Sequence, residues 1–316
     1  MILEDTIYKI LAEKLKKLNK IRPLSPTMIA KLRERFEVEM TYNSNAIEGN
    51  SLTLKETYWV IQEGITVKDK PLKDHLEAKN HKEALDLLYE LVDHEKSSTI
   101  SEHLIKSFHT LIVQNIHQEI AGQYRKIDVF ISGSKHKPPP AFEVPHKMHE
   151  LILWMRKYHK KMHVIDFATL LHHKFVHIHP FQDGNGRTGR LLMNVFLMHY
   201  GFPLVIIQKN DRKKYYRALR QADEENYVLL TQMVSQAVLR SVNIYLDVLT
   251  PSNEKTYFEL LSTVVKKTPF SAKYLNKLAR LGKIDAHKEG RNWLTTKQAV
   301  DDYINAQAKK NNLKLS

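Results

Sequence analysis

A chain of 316 residues with 42% hydrophobic and 27% charged residues has room for a large core, and by the usual size of domains it holds about two of them. Its net charge of +14 suits polyanionic partners or a lysine-rich solvated exterior, and half of that excess lies in residues 251–316, where thirteen Lys/Arg face six Asp/Glu. The lack of cysteine excludes disulfides, thiolate nucleophiles and cysteine-ligated zinc, and no apolar run is long enough to span a bilayer.

The opening MILEDTIYKILAEK mixes acids and lysines with apolar residues at helical spacing, unlike a secretory leader, so a cytoplasmic location is expected. Three-to-four-residue apolar spacing predicts helices over 3–20 and 27–41, parted by the prolines of RPLSP. The same periodicity predicts helices near 72–94, 101–116, 145–160, 165–178, 186–200, 211–222 and 226–249. The expected fold class is therefore mainly α. One segment departs from it. In QYRKIDVFISGSKHKPPPAFEV, the β-prone run Asp128 to Ile131 meets Ser132, Gly133 and Ser134 and then Pro138 to Pro140, a pattern for a small β-hairpin flap at an edge. TPSNEK, 250–255, reads as a linker. Beyond it Ser271 caps a helix with Leu275, Leu278 and Leu281 on one face, ended by Gly282. IDAHKEGRNWLTT then reads as two short strands about a turn, followed by a helix with Ala299, Val300, Tyr303 and Ile304. Three regions are expected: an N-terminal helical part, 1–100; a core, 101–250; and a C-terminal module, 251–316.

The chemistry is concentrated in HPFQDGNGRTGR, 179–190, set between two predicted helices, the second closed by Gly201. The glycines of GNG allow a tight bend with several amides facing one way, and a helix starting there adds its positive dipole end, which makes a cradle for an anion such as phosphate. Arg187 and Arg190 lie one turn apart and can both reach phosphate oxygens. Asp183 suits Mg²⁺, and His179 can take a proton from a hydroxyl. A Walker loop would need Lys after Gly186, and an EF-hand would need Gly and Glu where Thr188 and Asn194 stand. His172, His173, His177 and His179 admit a zinc reading, which the 17 histidines of the chain weaken.

HPFQDGNGRTGR matches every fixed position of the core motif of the Fic family, which the chain resembles over roughly residues 40–250. The resemblance implies a Fic-type helical core and a protein adenylyltransferase that moves AMP from ATP to a Ser, Thr or Tyr hydroxyl of a protein. It implies His179 as base, Asp183 as Mg²⁺ ligand, Gly184, Asn185 and Gly186 on the α and β phosphates, and Arg187 and Arg190 on the β and γ phosphates. Phosphorylating relatives of the Doc type lack the final arginine, which this chain keeps. By the same resemblance the flap clamps nucleotide and target, through Ile131 and Gly133, and Tyr215, Tyr216, Leu219 and Asp223 wall the base pocket or simply pack a helix. Members of the family often pair, so a homodimer is implied.

TYNSNAIEGNSLT, 41–53, resembles the family's inhibitory motif through Ser44, Glu48 and Gly49. A Glu48 carboxylate on Arg190 would occupy the guanidinium fork that a γ-phosphate needs. The C-terminal module resembles a winged helix of the excisionase or MerR type, with Lys273, Lys277, Arg280, Lys288 and Arg291 available to phosphates. Duplex DNA and a protein surface both stay open as its partner. Alternative readings of the whole are a nucleotide-sensing DNA-binding regulator, or a Fic enzyme that uses another nucleotide or removes AMP.

Overall fold

Capping serines and threonines decide where several helices begin. The computed structural model describes residues 1–93, 100–131, 135–251 and 255–312. In chain order the helices are α1 (Asp5–Ile21), α2 (Pro26–Ile47), α3 (Leu54–Gln62), α4 (Leu72–Asp93), α5 (Glu102–Val113), α6 (Val144–Tyr158), α7 (Val164–Ile178), α8 (Asn185–His199), α9 (Arg212–Asp223) and α10 (Val228–Leu249). The Ser25 hydroxyl accepts from the Met28 amide at the start of α2, and Ser101 accepts from Leu104 at the start of α5, each satisfying an amide that the helix itself leaves unpaired. The mainly α class is as expected.

Two helical stretches exceed the expectation. Helix α3 was not anticipated, yet Thr53 and Glu56 form a reciprocal cap that starts it. Helix α2 runs past 41 to Ile47 through the polar residues Asn43, Ser44 and Asn45. These look like loop residues, but each finds a partner. Asn43 takes the Lys209 amide at 2.8 Å, Ser44 takes Arg190, and Asn45 donates to the Glu77 carbonyl.

Helices α7 and α8 form the centre and approach closely at Gly189, where a Cβ would meet Val176 Cγ1 at 3.0 Å and His172 Nδ1 at 3.1 Å. The rings of Phe167 and Phe196 lie 4.3 Å apart across this seam. One buried apolar cluster extends from Ile7 to Leu249, so a division near residue 100 separates motifs rather than cores. After α8 and the left-handed Gly201, Asn194 takes the Val205 amide and donates to the Val205 carbonyl, fixing a buried extended run.

The expected hairpin around 128–140 is not formed among the described residues. The Asp128 carboxylate takes the Ala141 amide, and Arg125 donates to the carbonyls of Ile127 and Pro139. The prolines at 138–140 have no amide to offer a partner strand. Gly133, expected as a flap contact, lies outside the described residues, as do 252–254 of the linker.

The C-terminal part has its own core of Leu261, Val264, Leu275, Leu278, Trp293 and Val300. It contains β1 (Glu259–Leu260), α11 (Leu261–Val265), α12 (Ala272–Arg280), β2 (Ala286–Glu289), β3 (Asn292–Thr295) and α13 (Lys297–Asn312). The strands form an antiparallel sheet in the order β1-β3-β2, with Ala286 opposite Thr295 and Glu289 opposite Asn292. Polar contacts hold this part to the body: Lys14 to Asp285 at 2.6 Å, Lys288 to Asp211 at 2.8 Å, and Gln236 to the Ala279 carbonyl at 3.1 Å. Lys288, expected to face phosphates, is therefore engaged with the body, while Lys273, Lys277, Arg280 and Arg291 are exposed. Among the described residues no helix is long and apolar enough to cross a membrane.

Candidate active site

Helix α7 ends at Ile178, and His179 takes a left-handed backbone (φ 52°, ψ 57°), uncommon outside glycine. Arg125 holds this turn from both sides, its Nε donating to the His179 carbonyl at 2.9 Å and its amide to the Pro180 carbonyl at 3.0 Å. His179 Nδ1 lies 3.3 Å from the Val176 carbonyl, which can only accept. The proton therefore sits on Nδ1, and Nε2 carries the lone pair. Burial pushes the His179 pKa down to about 4, against the Val176 bond and with help from Arg125, so the imidazole is neutral at physiological pH and its Nε2 lone pair is free of a proton.

The bend that follows is tied by Asn185. Its Oδ1 accepts from the Phe181 amide at 2.9 Å and its Nδ2 donates to the Phe181 carbonyl at 2.8 Å. Asn185 thus shapes the loop with its side chain and leaves its backbone at the start of α8. Gly184 has φ +76° and sits against Ile112 and Val113, so both conformation and space demand glycine. Asp183 accepts from the Gly184 amide at 2.6 Å and lies 3.3 Å from Arg187. Burial opposes its ionisation, but Arg187 and that amide outweigh burial and hold the carboxyl below its usual range.

The two arginines diverge. Arg187 is buried against Glu77 at 3.2 Å and Asp183. Arg190 is buried against Ser44, whose hydroxyl takes Nε at 2.9 Å and whose carbonyl takes Nη2 at 2.9 Å, while Glu48 Oε1 takes Nη2 at 2.8 Å. Burial alone would disfavour the Arg190 charge, and Glu48 and Tyr215 outweigh it. Glu48 reaches this position because it is the last residue of the α2 cap. The Gly49 amide bonds to Ala46, the Asn50 amide bonds to Asn45, and Gly49 has φ +109°, which is a Schellman-type ending. The carboxylate lies directly over the start of α8: a Cβ on Gly186 would stand 2.2 Å from Glu48 Oε1. Arg190 Nη1 is buried and finds no hydrogen-bond partner among the described residues, and it too faces Gly186.

A cavity of about 500 Å³ opens here. It brings together nine of the residues singled out from the sequence: Glu48, Ile131, His179, Gly186, Arg190, Tyr215, Tyr216, Leu219 and Asp223. Asp183, Gly184, Asn185, Arg187, Ser44 and Gly49 do not line it. His177, noted in the sequence only for a zinc reading, also lines it, as do His136, Val176, Arg212, Lys213 and Arg220, which sequence reasoning missed. The basic start of α9 carried the signal for Arg212 and Lys213; the position of His136 follows from the chain path after residue 134 and had none. Asp223 takes His173 Nε2 at 2.9 Å and His177 Nδ1 at 3.0 Å. Burial pushes its pKa up, and these two bonds pull it well below the usual carboxylate range. Tyr215 is buried with its hydroxyl 2.6 Å from His172 Nε2, and the Tyr216 hydroxyl reaches the Ile47 carbonyl at 3.3 Å beside Glu48.

A family model described as Fic/DOC family matches residues 99–197. The chain is 36% identical over 246 residues to a protein adenylyltransferase Fic of Nematostella vectensis, covering 77% of this chain and 56% of that protein. It spans about half the length of the curated relatives it matches. Among solved structures, a Fic domain containing signaling protein from Bacteroides thetaiotaomicron aligns with TM-score 0.70 and 28% identity over 80% of this chain and all of that one. Fic-1 from C. elegans aligns with TM-score 0.68 and 27% identity over 77% of this chain and 71% of that one. The loop tied by Asn185, the imidazole beside it and the shared helical body lead to one conclusion: the chain carries a domain of the Fic/DOC family.

Proposed function

We propose that the protein is an adenylyltransferase that moves AMP from ATP to a protein hydroxyl, and that Glu48 restrains it at rest. The observation that carries the reading is the buried, unpartnered Arg190 Nη1 aimed at the amide-bearing start of α8, beside a neutral imidazole. That arrangement fits a polyphosphate: the first amides of α8 have no carbonyl partner within the helix, and the dipole end favours an anion. Asp183, ionised and partly exposed, is the oxygen ligand that would hold Mg²⁺, which when bound supplies charge neutralisation between phosphates. His179 Nε2 takes the proton of the target hydroxyl as its oxygen bonds to the α-phosphorus. The bond from that phosphorus to the bridging oxygen breaks, and pyrophosphate leaves with the electron pair.

Glu48 occupies the same ground as the phosphates. It takes one face of the Arg190 fork and lies over Gly186, so a triphosphate must displace it or bind out of line, and such misplacement costs on the order of a hundredfold in rate. The exposed Lys273, Lys277, Arg280 and Arg291 of the C-terminal module support a polyanionic partner for that part, with duplex DNA as its candidate, whereas Lys288 supports intramolecular docking. Incubation with ATP labelled on the α or the γ phosphate tests the main reading. Glu48→Gly should incorporate α label into protein about a hundredfold faster than wild type, and His179→Ala combined with it should incorporate none. Transfer of γ label, or equal labelling by wild type and Glu48→Gly, would overturn the reading.

A further inference from the structure

His136, His177 and Asp223 line the same cavity as Gly186 and Arg190, and the proton transfer above uses none of them. They come from three elements: the segment after residue 134, the last turn of α7 and the end of α9. Ring nitrogens of the two histidines and a carboxylate oxygen of Asp223 all lie within 4.8 Å of one another. We propose that these three residues form a binding site for a zinc-class divalent cation, separate from any Mg²⁺ that accompanies a nucleotide at Asp183.

The donor set selects the ion. Two imidazoles and one carboxylate suit zinc, whereas magnesium prefers oxygen ligands and keeps several waters. A tetrahedral zinc with bonds of about 2.0–2.1 Å sets its ligand atoms about 3.3 Å apart. The 3.0 Å from His177 Nδ1 to Asp223 Oδ1 is already close to that spacing. Histidine 173 completes the surroundings: buried beside the cluster, its Nε2 donates to Asp223 Oδ1 at 2.9 Å and orients the carboxylate from the side away from the cavity. The rings of His136 and His177 stack 3.8 Å apart with 26° between their planes, and His136 Nε2 lies 2.7 Å from the His177 carbonyl. This stacking keeps the segment after residue 134 against α7 without the ion, so the ion joins elements that already touch. Three protein ligands leave a fourth position that opens on the cavity, where water or a phosphate oxygen can sit. A bound ion would therefore tie the segment after residue 134 to α7 and α9 at the cavity wall.

The test uses the full, untagged chain after dialysis against a chelator. Titration with ZnCl₂ by calorimetry should show one site of micromolar or tighter affinity, and Co²⁺ should give the visible absorption of a four-coordinate ion. His136→Gln and Asp223→Asn should each weaken zinc binding by about tenfold or more, with thermal unfolding of the zinc-free variants recorded to show that they fold. His136 lies in an extended segment, so its variant isolates ligation from helix packing. His179→Ala should leave zinc binding unchanged, and millimolar Mg²⁺ should not displace the zinc. Absence of a one-to-one site in the wild type, affinity untouched by both His136→Gln and Asp223→Asn, or loss of binding in His179→Ala would each overturn the proposal.

Discussion

Arg187 and Arg190 stand one turn apart on α8, both almost wholly buried, yet the regions around them differ in kind. Arg187 faces Glu77 of α4, whose side chain is 8% exposed and which also takes an amide proton of Asn50. Arg190 faces Glu48 at the cap of α2, whose side chain is 31% exposed. The exposure of the carboxylate, not of the arginine, separates them. A buried carboxylate cannot leave without stranding a charge, whereas a partly solvated one at a helix end can turn to water. Helix spacing places both guanidiniums on one face, where Arg187 meets Glu77 of α4 and Arg190 meets Ser44 and Glu48 of α2 and its cap. One guanidinium is thereby closed in by Glu77 and the other lines the cavity.

The largest lever acts on both regions at once. His81 is fully buried near both guanidiniums, with its pKa pushed down to about 3 by burial and then by Arg190 and Arg187. His172 and His287 are also lowered to about 3 and His109 and His179 to about 4, burial leading in each case. The unfolded chain titrates these groups near 6.5, so between about 6.5 and 4 it binds more protons than the folded chain. Stability therefore rises with pH across that window and is lost on acidification, by about 1.4 kcal/mol per pH unit for each histidine kept neutral. Urea midpoints at pH 7.5, 6 and 5 should fall steeply, and His81→Gln should reduce the slope by one proton. A flat profile would show that neither arginine region excludes a proton.

The next effect separates the two regions. Glu77→Ala should cost about 3–5 kcal/mol, because it leaves Arg187 in the interior with only the longer contact to Asp183. Glu48→Ala should cost about 1 kcal/mol or less, since Ser44 still takes two protons of Arg190. Denaturant unfolding of the two variants measures the contrast directly. Equal losses would erase the distinction between the buried and the partly solvated carboxylate.

Much of this was legible in the sequence. The helices followed from periodicity, and the candidate base, bend and final arginine from one run of twelve residues. What was not legible depends on long-range partners. The expected helix stops at 41 because the polar side chains of Asn43, Ser44 and Asn45 are unfavourable in an isolated helix, and their bonds with Lys209, Arg190 and Glu77 let it continue. Arg187 is expected on the phosphates, and its ion pair with Glu77, 110 positions earlier, is what the local run could not show. Asn185 is expected on the phosphates, and what the sequence could not show is that its side chain ties Phe181 while its backbone opens α8. The β-prone run at 128–131 lost its hairpin to Arg125 and Asp128, whose side chains took the backbone groups that a ladder would need.

The smallest effect asks how Glu48 is aimed. Gly49 has φ +109° and open space around its missing Cβ, so an alanine there meets no neighbour and pays only for the backbone conformation, about 1 kcal/mol. That cost falls on the turn that makes Glu48 the cap of α2. If the cap sets the direction of the carboxylate, Gly49→Ala should lower stability by that small amount and also raise labelling of protein by α-labelled ATP above the wild-type level, short of the Glu48→Gly level. Gly49→Asn should do less of both, since asparagine tolerates positive φ better than alanine. Loss of stability with no change in labelling would mean that Ser44 and Tyr216 hold the restraint in place without the cap, and the difference between the two arginine regions would then rest on the carboxylate's partners alone.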